Sequence, residues 1–178
     1  MPTSILSFWF DEIDPKLWFT LDKDFDALLE TRFLSVLQQA AAGECHSWRE
    51  TAEGRLAEII LLDQFSRNIY RHTPQAFAQD AMALVLSQEA VAAGALEKLD
   101  EIQRGFLLMP YMHSESKMIH REAAELFKKF ATQENYDYEI KHKVIIDRFG
   151  RYPHRNQILG RQSTPEEQAF LKEPNSSF

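Results

Sequence analysis

The chain has 178 residues, 44% of them hydrophobic and 12% aromatic, with a formal net charge of −7 and a pI near 5.4. That length and apolar content fit one folded domain over residues 1–178 with a substantial core, and exclude a disordered chain. The acidic balance argues against a general nucleic-acid binder, whose footprint is broadly basic.

The single cysteine, Cys45, cannot form an internal disulfide, which fits a reducing cytoplasm, and it reads as an incidental thiol. The opening Met1–Asp11 lacks the basic region and cleavage site of a signal peptide. The strongest apolar run, Ile59–Leu62, is too short to cross a bilayer, so no membrane partner is expected.

Ser4–Phe10 reads as a short helix carrying Ile5, Phe8 and Trp9. After a turn at Asp14–Pro15, Leu17, Trp18 and Phe19 form an aromatic lid that docks the N-terminus on the core. Asp22 caps a helix running to about Ala42 and ended by Gly43. The next helix, from about Ala52 to Tyr70, carries Leu56, Ile59, Ile60, Leu61, Leu62, Phe65 and Ile69 around much of its circumference. It is therefore expected to be central.

Thr73–Pro74 predicts the start of a fourth helix, which presents Phe77, Ala81, Leu84, Val85, Gln88 and Val91 and stops before Gly94. A fifth runs from about Lys98 to Met109, halted by Pro110. A sixth, capped by Ser114, reaches about Ala131 with Ile119, Ala123, Leu126, Phe127 and Phe130 inward. A seventh spans about Tyr136 to Phe149, with Gly150 at its C-cap.

Arg151–Gly160 is loop or irregular helix. Ser163-Thr164-Pro165-Glu166-Glu167 then carries the cap, proline and acids that open a short last helix. Pro174–Phe178 is expected to fray or dock lightly. No alternating strand pattern occurs. The fold class is all-α: about seven main helices in antiparallel pairs plus short terminal helices.

Three polar constellations stand out. Asp63, Arg67 and Arg71 recur at four-residue spacing and so share one face of the central helix, with Asn68 beside them. Asp63 continues the Leu56, Ile59, Ile60 stripe, where a carboxylate is costly unless paired. It is either half of a structural ion pair or the residue that orients arginines in a pocket. The second constellation is His113-Ser114-Glu115, where a histidine and a carboxylate beside a helix start suit proton transfer. His120 lies two turns on. Neither HExxH nor His-x-x-x-His spacing occurs, and no metal is assigned.

The third is His142–Thr164, with five Lys/Arg against one acid: net +4 in a chain whose remainder is −11. Arg148, Arg151, Arg155 and Arg161 repel one another unless acids or a bound anion lie between them, and arginine pairs bidentately with carboxylate or phosphate. His154 and Asn156 add donors, and His142 shares a helical face with Tyr138, Ile145 and Phe149. Either the arginines pin a turn by pairing with Asp63, Glu115, Asp147 and helix C-termini, or part of the cluster binds an anion.

Leu61-Leu62-Asp63-Gln64-Phe65-Ser66-Arg67-Asn68-Ile69-Tyr70-Arg71, His113-Ser114-Glu115, Arg148-Phe149-Gly150-Arg151-Tyr152-Pro153-His154-Arg155-Asn156 and Leu159-Gly160-Arg161-Gln162-Ser163-Thr164 together resemble domain of unknown function 924. This is an uncharacterised bacterial family of tetratricopeptide-like, all-helical proteins. The resemblance extends from Ile5 to Phe178 and implies a bundle of helix pairs. It implies no activity and no cofactor. His120 stands where the family pattern has Gln, His72 where it has Gly, and Tyr152 replaces Phe. A histidine at 120 that the family lacks argues against a shared metal site.

Two functions follow. In the first, a pocket binds a small anionic ligand, a carboxylate or phosphate, through Arg67, Asn68, Arg71, Arg148, Arg151, Arg155, Asn156 and Arg161. His113, Glu115 and His154 are then the candidates for proton transfer if the protein is an enzyme. In the second, the chain is a tetratricopeptide-like scaffold for a protein or peptide partner and the arginines are struts. The 34-residue repeat of tetratricopeptide arrays is not visible here.

Overall fold

The computed structural model describes residues 1–174 and Ser176. Among these every regular element is helical, as the sequence pattern requires: α1 (Pro2–Ser7), α2 (Lys23–Ala41), α3 (Ala52–Ile60), α4 (Ser66–Ile69), α5 (Asp80–Ala92), α6 (Glu101–Met112), α7 (Lys117–Phe130), α8 (Gln133–Phe149) and α9 (Pro165–Phe170). The tail expectation for Pro174–Phe178 lies partly outside the described residues. Where it is described, Ser176 Oγ donates to Leu171 O at 3.2 Å.

The helix expected over 52–70 is the hub. Thr51 caps it, accepting from Gly54 N, and it continues from α3 through a π-helical turn, Leu61–Phe65, into α4. Every residue from Leu56 to Ser66 is buried. It packs against α1, α5 and α6, and its π turn and α4 lie on α2. A π turn inserts one residue into the helical register and often marks a functional site. Here it holds Asp63 and Gln64.

The aromatic lid docks as expected. Trp18 Nε1 donates to Trp9 O at 2.9 Å, and Trp18 packs edge-on against Phe106 at 4.9 Å between centroids. Phe19 stacks on Phe106 yet stays 71% exposed. Cys45 lies buried in the same core, where burial pushes its thiol pKa up.

Four boundaries differ from the sequence reading. Pro74 opens a 3-10 turn, Pro74–Phe77, and the α-helix restarts only at Asp80. The restart turns the buried face to Ala83, Leu86, Ser87 and Ala90, leaving Val85 55% exposed. Pro110 does not halt the fifth helix; it sits inside α6, which runs on to Met112 with Gly105–Met112 all buried. A proline three residues from the end forfeits one backbone hydrogen bond, and the packing of the last turn outweighs that loss.

Nor does Ser114 cap the sixth helix. Ser116 does, accepting from Ile119 N, so Ser114 stays in the connecting turn. Thr132 starts α8 at Gln133, ahead of the expected Tyr136, by accepting from Asn135 N.

α7 and α8 are joined by two residues and pack along each other, as do α6 and α7. So short a link makes the pair antiparallel. α8 ends at Gly150 in the left-handed conformation, φ 71°. Thr164 and Glu167 complete the capping box of α9. Between them Arg151–Gln162 folds back over the ends of α6 and α8, with Tyr152 buried and its hydroxyl donating to Met112 O at 2.5 Å.

Candidate functional site

The turn after α6, the first turn of α5 and the loop after α8 meet over the π turn of the central helix. Asp63 is 1% exposed and accepts from three groups. His113 Nδ1 lies 2.7 Å from Oδ1, Arg67 Nη1 lies 3.1 Å from the same oxygen, and Gln64 Nε2 donates to Oδ2 at 2.6 Å. Burial opposes ionisation of Asp63, but Arg67 and His113 outweigh it and hold the carboxyl well below the usual range. His113 is shifted down as well: burial, then the Arg67 charge, lowers its pKa despite Asp63. The pair is therefore a carboxylate and a neutral imidazole near pH 7, with the proton on Nδ1 facing Asp63.

Arg67 reaches further, pairing both its terminal nitrogens with Asp80 at 2.9 and 3.0 Å. Asp80 Oδ2 also takes Arg155 Nη1 at 3.1 Å. Arg155 is 6% exposed, its guanidinium 4.6 Å from the ring centroids of both Phe77 and Tyr152, and Nη2 donates to His113 O at 3.1 Å. Its Nε is buried with no hydrogen-bond partner among the described residues. Burial and the neighbouring Arg67 lower its pKa.

Glu115 is held by Arg161 at 2.6 and 2.9 Å and accepts from Tyr152 N at 2.7 Å. Burial works against its charge, but these bonds prevail and its carboxyl titrates below the usual range. At neutral pH Glu115 is an ionised acceptor with no proton to give.

A cleft of about 400 Å³ opens above these groups, lined by His113, Ser114, Glu115, Asp80 and Arg155 on its polar side. Pro74, Phe77, Ala81, Leu84 and Leu159 supply apolar walls. His113 Nε2 makes no hydrogen bond to any described residue.

Of the remaining predicted site residues, Asn156 is buried and donates to Ser163 Oγ at 3.0 Å while its Oδ1 accepts from Arg161 Nε at 2.9 Å. Arg71 leaves the Asp63 face for Asp26, at 2.6 and 2.8 Å, and Asn68 donates to the same carboxylate. Arg151 is clamped on Glu167 at 2.6 and 2.8 Å, and Arg148 meets Glu166 at 3.0 Å on the surface. None of Arg71, Arg148 and Arg151 lines the cleft.

His154 lies beside Tyr152, ring centroids 5.5 Å apart, and outside the cleft lining. Burial, then Arg155, lowers its pKa to about 4. His120 is buried behind the turn, its Nδ1 2.7 Å from Glu139 Oε1 and its Nε2 2.8 Å from Ser114 O. His142 donates from Nδ1 to Tyr138 O at 2.8 Å. Asp147, expected to pair with an arginine, pairs with Lys143 instead. Among the described residues no group of three or more His, Cys, Asp or Glu side chains is placed to hold a metal ion.

The sequence reading missed Asp80, which joins Arg67 to Arg155, because residues 73–94 looked like one apolar helix. The Pro74–Phe77 turn before it was the available signal. It also missed Asp26, and Glu167 as the partner of Arg151.

A family model described as "Bacterial protein of unknown function (DUF924)" matches residues 5–175. The chain belongs to this family. One solved family-like structure, that of a protein of unknown function from Agrobacterium tumefaciens, is 36% identical, with 96% of each chain covered and a TM-score of 0.91. No curated protein matches the chain. No helix among the described residues is long and apolar enough to cross a membrane.

Proposed function

We propose that the cleft over the π turn binds a small anionic ligand, with Arg155 as its cation and His113 and Ser114 as hydrogen-bonding partners. The observation that carries this reading is the coincidence of a cleft of about 400 Å³, apolar walls and a His113 Nε2 left unbonded by the described residues. Charge selects among anions. Asp80 and Glu115 in the lining are each already neutralised by arginines, so the polar floor is near balance. A singly charged carboxylate suits it better than a phosphate dianion, which would repel both acids. The chain is read as one helical domain over 1–178, located in the cytoplasm on the strength of its lone thiol.

Thermal-shift screening against small carboxylates and phosphates tests the reading, because a ligand that binds the folded state raises Tm by mass action. A carboxylate-dependent rise that is lost in Ser114→Trp, which fills the cleft, supports it. No rise with any compound of either class overturns it.

A second reading, the tetratricopeptide-like scaffold for a protein or peptide partner, is favoured by one observation. Arg71, Arg148, Arg151 and Arg161 are each paired with a carboxylate of the chain itself. These four then act as struts, and capture of one stoichiometric partner, lost on mutating surface residues, would favour that use of the fold.

A further inference from the structure

The cleft has a feature that binding alone does not require. Behind His113 of its lining sits Asp63, fully buried, in a π turn that departs from the α-helical register of the central helix. Two groups fix the carboxylate independently of the histidine: Arg67 from one turn on, and Gln64 from the next residue. With those bonds made, Oδ1 is left facing His113 Nδ1 at 2.7 Å. His113 itself is held by its main chain, through Arg155 and its carbonyl oxygen. The ring, which lines the cleft, thus has one nitrogen fixed as a donor to a buried carboxylate and the other without a hydrogen bond to any described residue.

We propose that Asp63 and His113 form a general-base pair, in which His113 Nε2 takes a proton from an O–H group held in the cleft. This rests on the cleft being a carboxylate site, as proposed above, and it specifies the substrate class: a small carboxylate presenting to Nε2 either its own hydroxyl or a bound water. The proton passes from that oxygen to Nε2, the electron pair of the broken O–H bond stays on the oxygen, and Nδ1–H remains bonded to Asp63. The imidazolium so formed is stabilised by the buried carboxylate and returns the proton later in turnover. His113 is the proton acceptor. Asp63 is a positioning residue that fixes its tautomer, and Gln64 and Arg67 position Asp63.

The groups facing His113 tune it in opposite directions. Asp63 and Asp80 favour the imidazolium, whereas Arg67 on α4 and burial oppose it. Arg155 bonds the His113 carbonyl, and His142 on α8 lies 6.5 Å away between ring centroids. The balance leaves the ring neutral in the resting protein, as a base must be, and gives it a charged partner when it takes up a proton.

The test uses diethyl pyrocarbonate, which acylates an unprotonated imidazole nitrogen, with peptide mass mapping to follow His113. The His113 rate is expected to keep its neutral-form plateau to a lower pH than that of N-acetylhistidine, whose pKa is ordinary. In Asp63→Asn, whose amide donates to Nδ1 and drives the proton to Nε2, the rate is expected to fall at least about tenfold. An exposed control variant, Arg148→Ala, should leave it unchanged. Equal His113 rates in the native chain and Asp63→Asn overturn the proposal.

Should Asp63→Asn fail to fold, the ¹⁵N shifts of His113 in the native chain decide the matter. A protonated Nδ1 with a bare Nε2 supports the pair, and the opposite tautomer overturns it. The two proposals fail separately. A reactive, Asp63-dependent His113 with no carboxylate raising Tm sinks the ligand assignment and leaves the base. A carboxylate that raises Tm over an unreactive His113 sinks the base and leaves the binding site.

Discussion

Asp80 Oδ2 stands between two guanidinium groups, 3.0 Å from Arg67 Nη2 and 3.1 Å from Arg155 Nη1. It is the only carboxylate joining the central helix to the loop after α8 among the described ion pairs, and both arginines are largely buried. Asp80→Ala leaves two like charges facing each other with no acid between them. A loss of about 3 kcal/mol is expected, since breaking a buried pair costs more than the pair contributes. Urea unfolding of Asp80→Ala, Arg155→Met and the double variant checks it. The double variant should be more stable than the sum of the two single losses allows, and strict additivity would contradict the coupling.

Arg161 makes two parallel bonds to Glu115 and two more to Asn156 Oδ1 and Tyr152 O. The planar fork is what serves four acceptors on three residues. Lysine keeps the charge and loses the geometry, so Arg161→Lys is expected to cost about 1–2 kcal/mol, moderated because both partners are about a quarter exposed. A change below about 0.5 kcal/mol in thermal unfolding would mean that charge alone holds the turn.

The fold was legible because its signals are local. Thr164 with Glu167, Gly150 after Phe149, and Asp22 before Lys23 each place a helix end by a single hydrogen-bonding rule. The candidate site was legible only in part. Asp63 with Arg67 follows from four-residue spacing, but the π turn changes the register beyond it, and Arg71 turns to Asp26. The pairing of Arg155 with Asp80 spans 75 positions, and no local periodicity encodes which acid an arginine will meet. Glu115 illustrates the same limit. Its neighbourhood in sequence suits proton transfer, whereas Arg161, 46 positions away, keeps it ionised.

Gly54 offers a test of the hub's N-terminal packing. A Cβ built there would lie 1.9 Å from Trp48 O and 2.8 Å from Trp48 C, both main-chain atoms that cannot swing aside. At Gly105 the nearest obstacles, at 3.2–3.4 Å, belong to the Asn135 side chain, which can shift. Gly54→Ala should therefore destabilise by about 3 kcal/mol or more through forced backbone movement. Gly105→Ala should lie within about 1 kcal/mol of the native chain, because helix propensity offsets the crowding. Paired thermal melts check the contrast, and equal Tm losses would refute it.

Stability should fall as the solution is acidified through the histidine range. Burial, aided for His154 by Arg155, holds His142 at about 3 and His154 at about 4. In the unfolded chain both revert to about 6.5. Between about pH 6.5 and 4 the unfolded state therefore binds more protons, so stability is full above about pH 6.5 and declines as pH drops. Glu139, pushed up by burial, contributes with the opposite sign, but it is one group against three, since His113 is also held low. Glu115 and Glu167, held low by their arginines, add their losses only below about pH 4.5, which leaves the upper part of the window to the histidines. Tm measured from pH 7.5 to 4.5 should decline throughout, and His154→Gln should flatten the slope whatever it does to the absolute value. A profile flat from pH 6.5 to 5, or an unchanged slope in His154→Gln, would show that these rings take up protons without cost in the folded protein.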